Sequence, residues 1–240
     1  MVSEFSLHTS GGDMTAYLFH PESSSGPLPG VVVVHDAIGL SDDTKDICQR
    51  VADQGYVVVA PDLFSRGGDS RIGKMRCVRR VFKDLIARRG QAVDDLLAAR
   101  EFLLQRDDCT GAVGIVGFCM GGGFALVMAP KGFDASAPFY GVVPKGLHEA
   151  LDGACPVVAS FGKRDPLLPR GEKRLVKALE AHGVEYDVKT YPGVGHSFVN
   201  KLDYGPATPL LKVTGFHYGA EAADDAWKRV FAFFDKHLSV

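Results

Sequence analysis

Two kinds of apolar run alternate along this chain. Gly30–His35 and Tyr56–Ala60 are unbroken β-branched stretches, the mark of strands buried on both faces. Met14–Phe19 and Glu185–Tyr191 alternate apolar with polar residues, as half-buried strands do. Val113–Val116, Ala135–Tyr140 and Cys155–Phe161 predict three more strands. Between them the spacing turns helical. Ile47 and Val51 share one side of a helix that Ser41-Asp-Asp can cap and Gly55 can end. Val78, Val81, Phe82 and Leu85 fall on one helical face, with Arg76, Arg79, Arg80 and Lys83 opposite. Val93, Leu96, Leu97, Leu103 and Leu104 mark another helix. Leu175, Val176 and Leu179, with Gly183 beyond the end, mark a further one. Trp227, Val230, Phe231, Phe234 and Leu238 predict a closing helix that docks on the core. Strands alternating with helices imply an α/β fold: a mostly parallel central sheet with helices on both faces and right-handed crossovers.

Composition narrows this picture. A chain of 240 residues suits one α/β domain spanning residues 1–240. A net charge of -2 and a pI near 6.4 argue against general binding of nucleic acid or anionic membranes, even though residues 64–90 are basic. The arginines of that segment oppose an apolar helical face, so they are expected in water. The 5 cysteines are scattered and lack a C-x-x-C, which argues against a disulfide scaffold and for a reducing compartment. The N-terminus has no basic region followed by an apolar one, and no apolar run reaches the length of a membrane span. A cytoplasmic location without membrane association is the expectation. No histidine pair has metal-ligand spacing, so neither a metal nor a cofactor is expected.

The candidate chemistry centres on Val113–Gly123. A short buried strand runs into Gly117-Phe118-Cys119-Met120-Gly121, and a helix-compatible Phe124–Met128 follows. This is the strand–turn–helix pattern G-x-S-x-G with cysteine as the nucleophile. Glycines two residues to each side let strand and helix approach closely, and the thiol sits where unpaired N–H groups favour an anion. A thiolate needs a base and a group to orient that base. In a parallel sheet such groups gather at the carboxyl ends of strands. Asp165 follows the Cys155–Phe161 strand and His196 follows Glu185–Tyr191, giving the order nucleophile, acid, histidine. The loop His35-Asp36-Ala37-Ile38-Gly39 follows the early central strand. Its Ala37 N–H, with that of Met120, is the candidate oxyanion hole. From spacing alone Asp36 reads as a turn aspartate.

Together the G-F-C-M-G-G, F-Y-G and H-S-F stretches, Asp165 and the Asp36 loop resemble the dienelactone hydrolase (carboxymethylenebutenolidase) family over nearly the whole length. The resemblance implies an α/β-hydrolase fold and a Cys119–His196–Asp165 triad that opens an enol-lactone through an acyl-thioester. It also implies a role for Asp36, where the family usually has glutamate, as a carboxylate that hydrogen-bonds the resting thiol. Phe118 and Phe198 are expected to line the substrate site. The family often carries arginine, a ligand for a substrate carboxylate, where this chain has Asn200; Arg66 or an arginine of the 76–80 region is then the candidate cation. The expected partner is a small lactone or ester. The sequence leaves the oligomeric state open and is compatible with a monomer. Two other readings remain: a cysteine-dependent thioesterase or acyltransferase, and a non-catalytic binding protein on the same fold.

Overall fold

The computed structural model describes residues 1–23, 26–68, 70–142, 146–201 and 216–239. Eight strands form one sheet: β1 (Val2–Thr9), β2 (Gly12–Phe19), β3 (Leu28–Val34), β4 (Val57–Pro61), β5 (Cys109–Phe118), β6 (Ala135–Phe139), β7 (Val157–Gly162) and β8 (Tyr186–Tyr191). Their order across the sheet is β1-β2-β4-β3-β5-β6-β7-β8. Pairing is antiparallel for β1–β2 and β2–β4 and parallel from β4 through β8. The carboxyl ends of β3, β5, β7 and β8 therefore share one edge of the sheet, and Asp36, Cys119, Asp165 and His196 follow those ends.

The β-branched runs lie where their pattern places them. Successive residues of a strand point to opposite faces, so one short valine run feeds two cores. Val31 and Val33 pack with Ile47, Val51, Val116, Trp227 and Val230 on one face. Val32 and Val34 pack with Val81, Leu85, Leu96, Leu103 and Ile115 on the other. The first face is covered by α1 (Asp42–Ala52) and the closing helix α7 (Ala220–Leu238). The second is covered by α2 (Arg71–Ala87), α3 (Gln91–Leu104) and α4 (Met120–Met128). Two further helices, the four-residue α5 (Leu147–Ala150) and α6 (Gly171–Ala181), complete the crossovers.

Ser41 caps α1 as expected, its Oγ accepting from Thr44 N at 3.3 Å. The basic face of α2 is solvated at Arg76 and Arg79, while Cys77, Val81 and Leu85 are buried. The N-terminal strand β1 has no counterpart among the predicted elements. It is an edge strand with little burial, so it carries almost none of the apolar patterning by which a strand is read. Among the described residues no helix is long and apolar enough to cross a membrane.

Candidate active site

Cys119 sits between β5 and α4 with φ 53° and ψ -110°, a backbone conformation that a side chain larger than glycine's rarely adopts. Its N–H donates to Phe139 O at 3.1 Å, and its own carbonyl accepts from Gly123 N at 3.1 Å and Val142 N at 3.3 Å. Those bonds hold the strained turn in place. The flanking glycines have a steric reason. A Cβ on Gly117 would stand 2.1 Å from Gly121 O, and one on Gly121 would stand 2.2 Å from Val34 O. The elbow thus folds only because both positions lack a side chain. Cys119 is partly exposed, whereas Cys48 and Cys77 are buried. Burial pushes the thiols of Cys48 and Cys77 up, and that of Cys155 up to about 12.

His196 and Asp165 are brought together from the ends of β8 and β7. Nδ1 of His196 lies 2.7 Å from Asp165 Oδ2, with both side chains 2% exposed. The other carboxylate oxygen, Oδ1, accepts from Leu167 N at 2.8 Å. Burial by itself would lower the His196 pKa. The Asp165 hydrogen bond and the Cys119 sulfur outweigh it and raise the imidazole to about 9. Nε2 is buried and has no hydrogen-bond partner of regular geometry. The sulfur is nevertheless near enough to act on it, so the contact is a close approach rather than a formed bond. Such contacts commonly tighten only when substrate arrives.

Asp36 is buried at the end of β3, and its Oδ1 accepts from Ile38 N at 2.8 Å. Burial pushes its carboxyl up, Asp43 adds to this, and His35 and His196 oppose it. The expected hydrogen bond to the resting thiol is not formed, because the short side chain is turned onto its own loop. His35, fully buried, accepts from Leu63 N at Nε2 (3.1 Å) and donates from Nδ1 to Asp36 O (2.7 Å). That arrangement requires a neutral ring, in keeping with a pKa lowered by burial. It fastens the Asp36 loop to the segment after β4. Ala37 N–H has no acceptor among the described residues. Nor does Met120 N–H, which opens α4 where no preceding turn can supply one.

The residues expected to line the substrate site are placed differently. Phe118 is fully buried, stacked on Phe139 (centroids 5.2 Å apart) and near Trp227, so it is a core residue. Phe198 is also fully buried, edge-on to Tyr140. Asn200 uses both ends of its amide internally. Oδ1 accepts from Tyr140 OH, and Nδ2 donates to Asp43 Oδ2 at 2.7 Å. Arg66 is a correction. Its guanidinium pairs with the buried Asp95 at 2.7 Å and donates to Thr9 Oγ1 at 2.7 Å and to the Gly12 carbonyl. It joins the β1–β2 hairpin to α3 and is not available to a substrate anion.

Two residues near the histidine were given no role in the site by the sequence. Tyr140 has φ 37°, and its ring centroid lies 5.0 Å from that of His196. Asp43, read only as a capping residue of α1, accepts from Asn200 and from Lys201 N at 2.9 Å. It ties the His196 loop to the first turn of α1. The F-Y-G stretch pointed to Tyr140; nothing local pointed to Asp43. Among the described residues no cluster of three or more His, Cys, Asp or Glu side chains is arranged to hold a metal ion.

Elbow, strand-end acid and strand-end histidine on a mostly parallel eight-stranded sheet define an α/β-hydrolase. Solved structures agree on this fold. That of an esterase from Pyrobaculum calidifontis aligns over 98% of this chain and 83% of its own, with a TM-score of 0.68 at 19% identity. The structure titled "Putative Dienelactone Hydrolase" from Klebsiella pneumoniae aligns over 98% of both chains, with a TM-score of 0.81 at 26% identity. In sequence, a "Putative carboxymethylenebutenolidase" of Yersinia pestis is 30% identical over 98% of this chain and 88% of its own length. The sequence profile of the dienelactone hydrolase family matches residues 14–238, and the chain belongs to that family. It is a hydrolase of esters or lactones, and its substrate is a small molecule.

Proposed function

We propose that this hydrolase works through a Cys119–His196–Asp165 triad and an acyl-thioester. The observation that carries the reading is the state of His196: Nδ1 is held by a buried carboxylate, and Nε2 is buried, unpartnered and beside the thiol. The thiol proton sits on His196 as Cys119 Sγ attacks the carbonyl carbon of the ester. The tetrahedral oxyanion is received by the N–H groups of Ala37 and Met120, both without an acceptor of their own among the described residues. Collapse breaks the acyl C–O bond, and the imidazolium gives its proton to the departing oxygen. In a lactone that oxygen stays attached to the acyl chain as a hydroxyl. Water, deprotonated by His196, then cleaves the thioester and restores the thiol, releasing a carboxylic acid.

Asp36 fits a role different from the one its family position implies. Its hydrogen bond to Ile38 N shapes the turn that presents Ala37 N–H, so it positions the oxyanion donor rather than holding the thiol. The triad is tested by trapping the acyl group. A slow aryl ester mixed with the enzyme and quenched in acid should leave its acyl mass on Cys119. Cys119→Ala should fold, carry no acyl group and lose turnover. Acylation of any other residue with full activity in Cys119→Ala would refute the mechanism. Added alcohol or thiol that diverts the acyl group from water would favour the acyltransferase reading.

A further inference from the structure

Two residues with unusual backbone bracket the imidazole. Tyr140, at the carboxyl end of β6, has φ 37°, and Ser197, directly after His196, has φ 61°. Side chains larger than glycine's rarely hold such angles, and strained residues persist only where their surroundings fix them. Asn200 bonds to both. Its N–H donates to Ser197 O at 3.0 Å, closing the turn behind His196, and its Oδ1 accepts from Tyr140 OH. Tyr140 N–H is in turn held by Ser160 O at 2.7 Å. The Tyr140 ring, anchored at both ends, lies 5.0 Å from the His196 ring between centroids, and Phe216 lies 5.3 Å from it. Asn200 and Tyr140 are both buried, so neither can trade these bonds for water without cost.

The bonds continue to the oxyanion side. Asn200 Nδ2 donates to Asp43 Oδ2 at 2.7 Å, and Lys201 N donates to Asp43 Oδ1 at 2.9 Å. Asp43 lies in the first turn of α1, on the segment that leads out of the Ala37 loop. Between them are two tight turn bonds, Gly39 N to Asp36 O at 3.2 Å and Ser41 N to Gly39 O at 2.9 Å. Asn200 thereby clips the loop that carries one oxyanion donor to the loop that carries the base.

We infer that Asn200, with Asp43 and Tyr140, is a positioning residue that aims the His196 imidazole, and that it acts chiefly on the step in which that imidazole takes a proton from water. The inference rests on the acyl-thioester mechanism given above. With the thiol proton already on His196, attack on an aryl ester asks little of the imidazole, because a nitrophenolate departs without being protonated. A departing alkoxide does need that proton. Loss of the acyl group is equally demanding, since Nε2 must face a water placed against the thioester carbon. A misaimed ring therefore slows deacylation and acylation by alkyl esters, and spares acylation by aryl esters.

The test compares para-nitrophenyl butyrate with ethyl butyrate. Asn200→Leu keeps the size of the side chain and loses both amide bonds. In a rapid-quench experiment its acyl mass on Cys119 should disappear about 10- to 100-fold more slowly than in the wild type. Its kcat/KM, which reports acylation, should hold for the nitrophenyl ester and fall for the ethyl ester. Tyr140→Phe and Asp43→Asn delete fewer contacts and should move the same quantities in the same direction by less; they carry the test if Asn200→Leu does not fold. A smaller nitrophenolate burst with unchanged rate constants, or equal losses on both esters, would mean lost stability alone and overturns the inference while leaving the triad standing. A wild type that carries no acyl mass on Cys119 from either ester overturns the triad and this inference together.

Discussion

Replacing Asp165 by asparagine tests the triad at its least visible member. The structure dictates what the amide must do. Oδ1 of Asp165 is committed to Leu167 N–H, so the asparagine carbonyl takes that place and its NH2 falls where Oδ2 now faces His196 Nδ1. The imidazole must then accept at Nδ1 and carry its proton on Nε2, the tautomer unable to take the thiol proton. Energetics point the same way. An imidazole raised from 6.5 to about 9 favours its protonated form by about 3 kcal/mol, and the carboxylate supplies much of that against an opposing burial effect. The expected loss in kcat is about 10²–10⁴-fold, or about 3–5 kcal/mol in the barrier. A pH profile adds a readout that misfolding would not mimic. In the wild type, kcat/KM should fall as pH rises through about 9, where His196 loses the proton it gives to the leaving group. In Asp165→Asn that limb should move down by at least about one pH unit, because burial remains while the stabilising carboxylate is gone. The assay is steady-state hydrolysis of a neutral aryl ester across pH, with thermal unfolding to show that the variant is folded. A folded Asp165→Asn enzyme within about 10-fold of wild type, with an unmoved alkaline limb, would sink the assignment.

Two further substitutions separate structural from chemical roles. Asp36→Asn keeps the acceptor for Ile38 N–H and removes a carboxylate that burial pushes up from 3.8. Above that value the native state binds more protons than the unfolded one, so the wild type loses stability as pH rises toward the folded pKa. The variant's gain in Tm should therefore be larger at about pH 7 than at about pH 4, and the opposite order counts against a buried, raised carboxyl. Arg66→Met leaves Asp95 buried without its cation and should cost about 3–5 kcal/mol, a fall of roughly 10 °C in Tm. KM for carboxylate-bearing esters should stay put; a raised KM at unchanged Tm would return Arg66 to the substrate site.

What the sequence determined by itself was local. Val31–Val34 and Val57–Val59 are strands in any context that buries them, because a β-branched run has no polar face to offer water. The elbow was legible because Gly117 and Gly121 mark, at fixed spacing, the places where backbone meets backbone. Asp165 and His196 could be found because a parallel sheet gathers its strand ends on one edge, and each follows a readable strand. The contacts decided by tertiary structure join residues with no pattern between them. Asp43 meets Asn200 only because α1 and the loop after β8 cover the same end of the sheet. Arg66 is held by Asp95, a partner on α3 that its own surroundings do not announce. The turn of Asp36 onto Ile38 N–H was likewise set by the loop and not by any spacing in the chain. Periodicity records which face of an element is buried; it carries no record of which buried or half-buried polar groups will meet, and at this site those meetings hold the His196 loop.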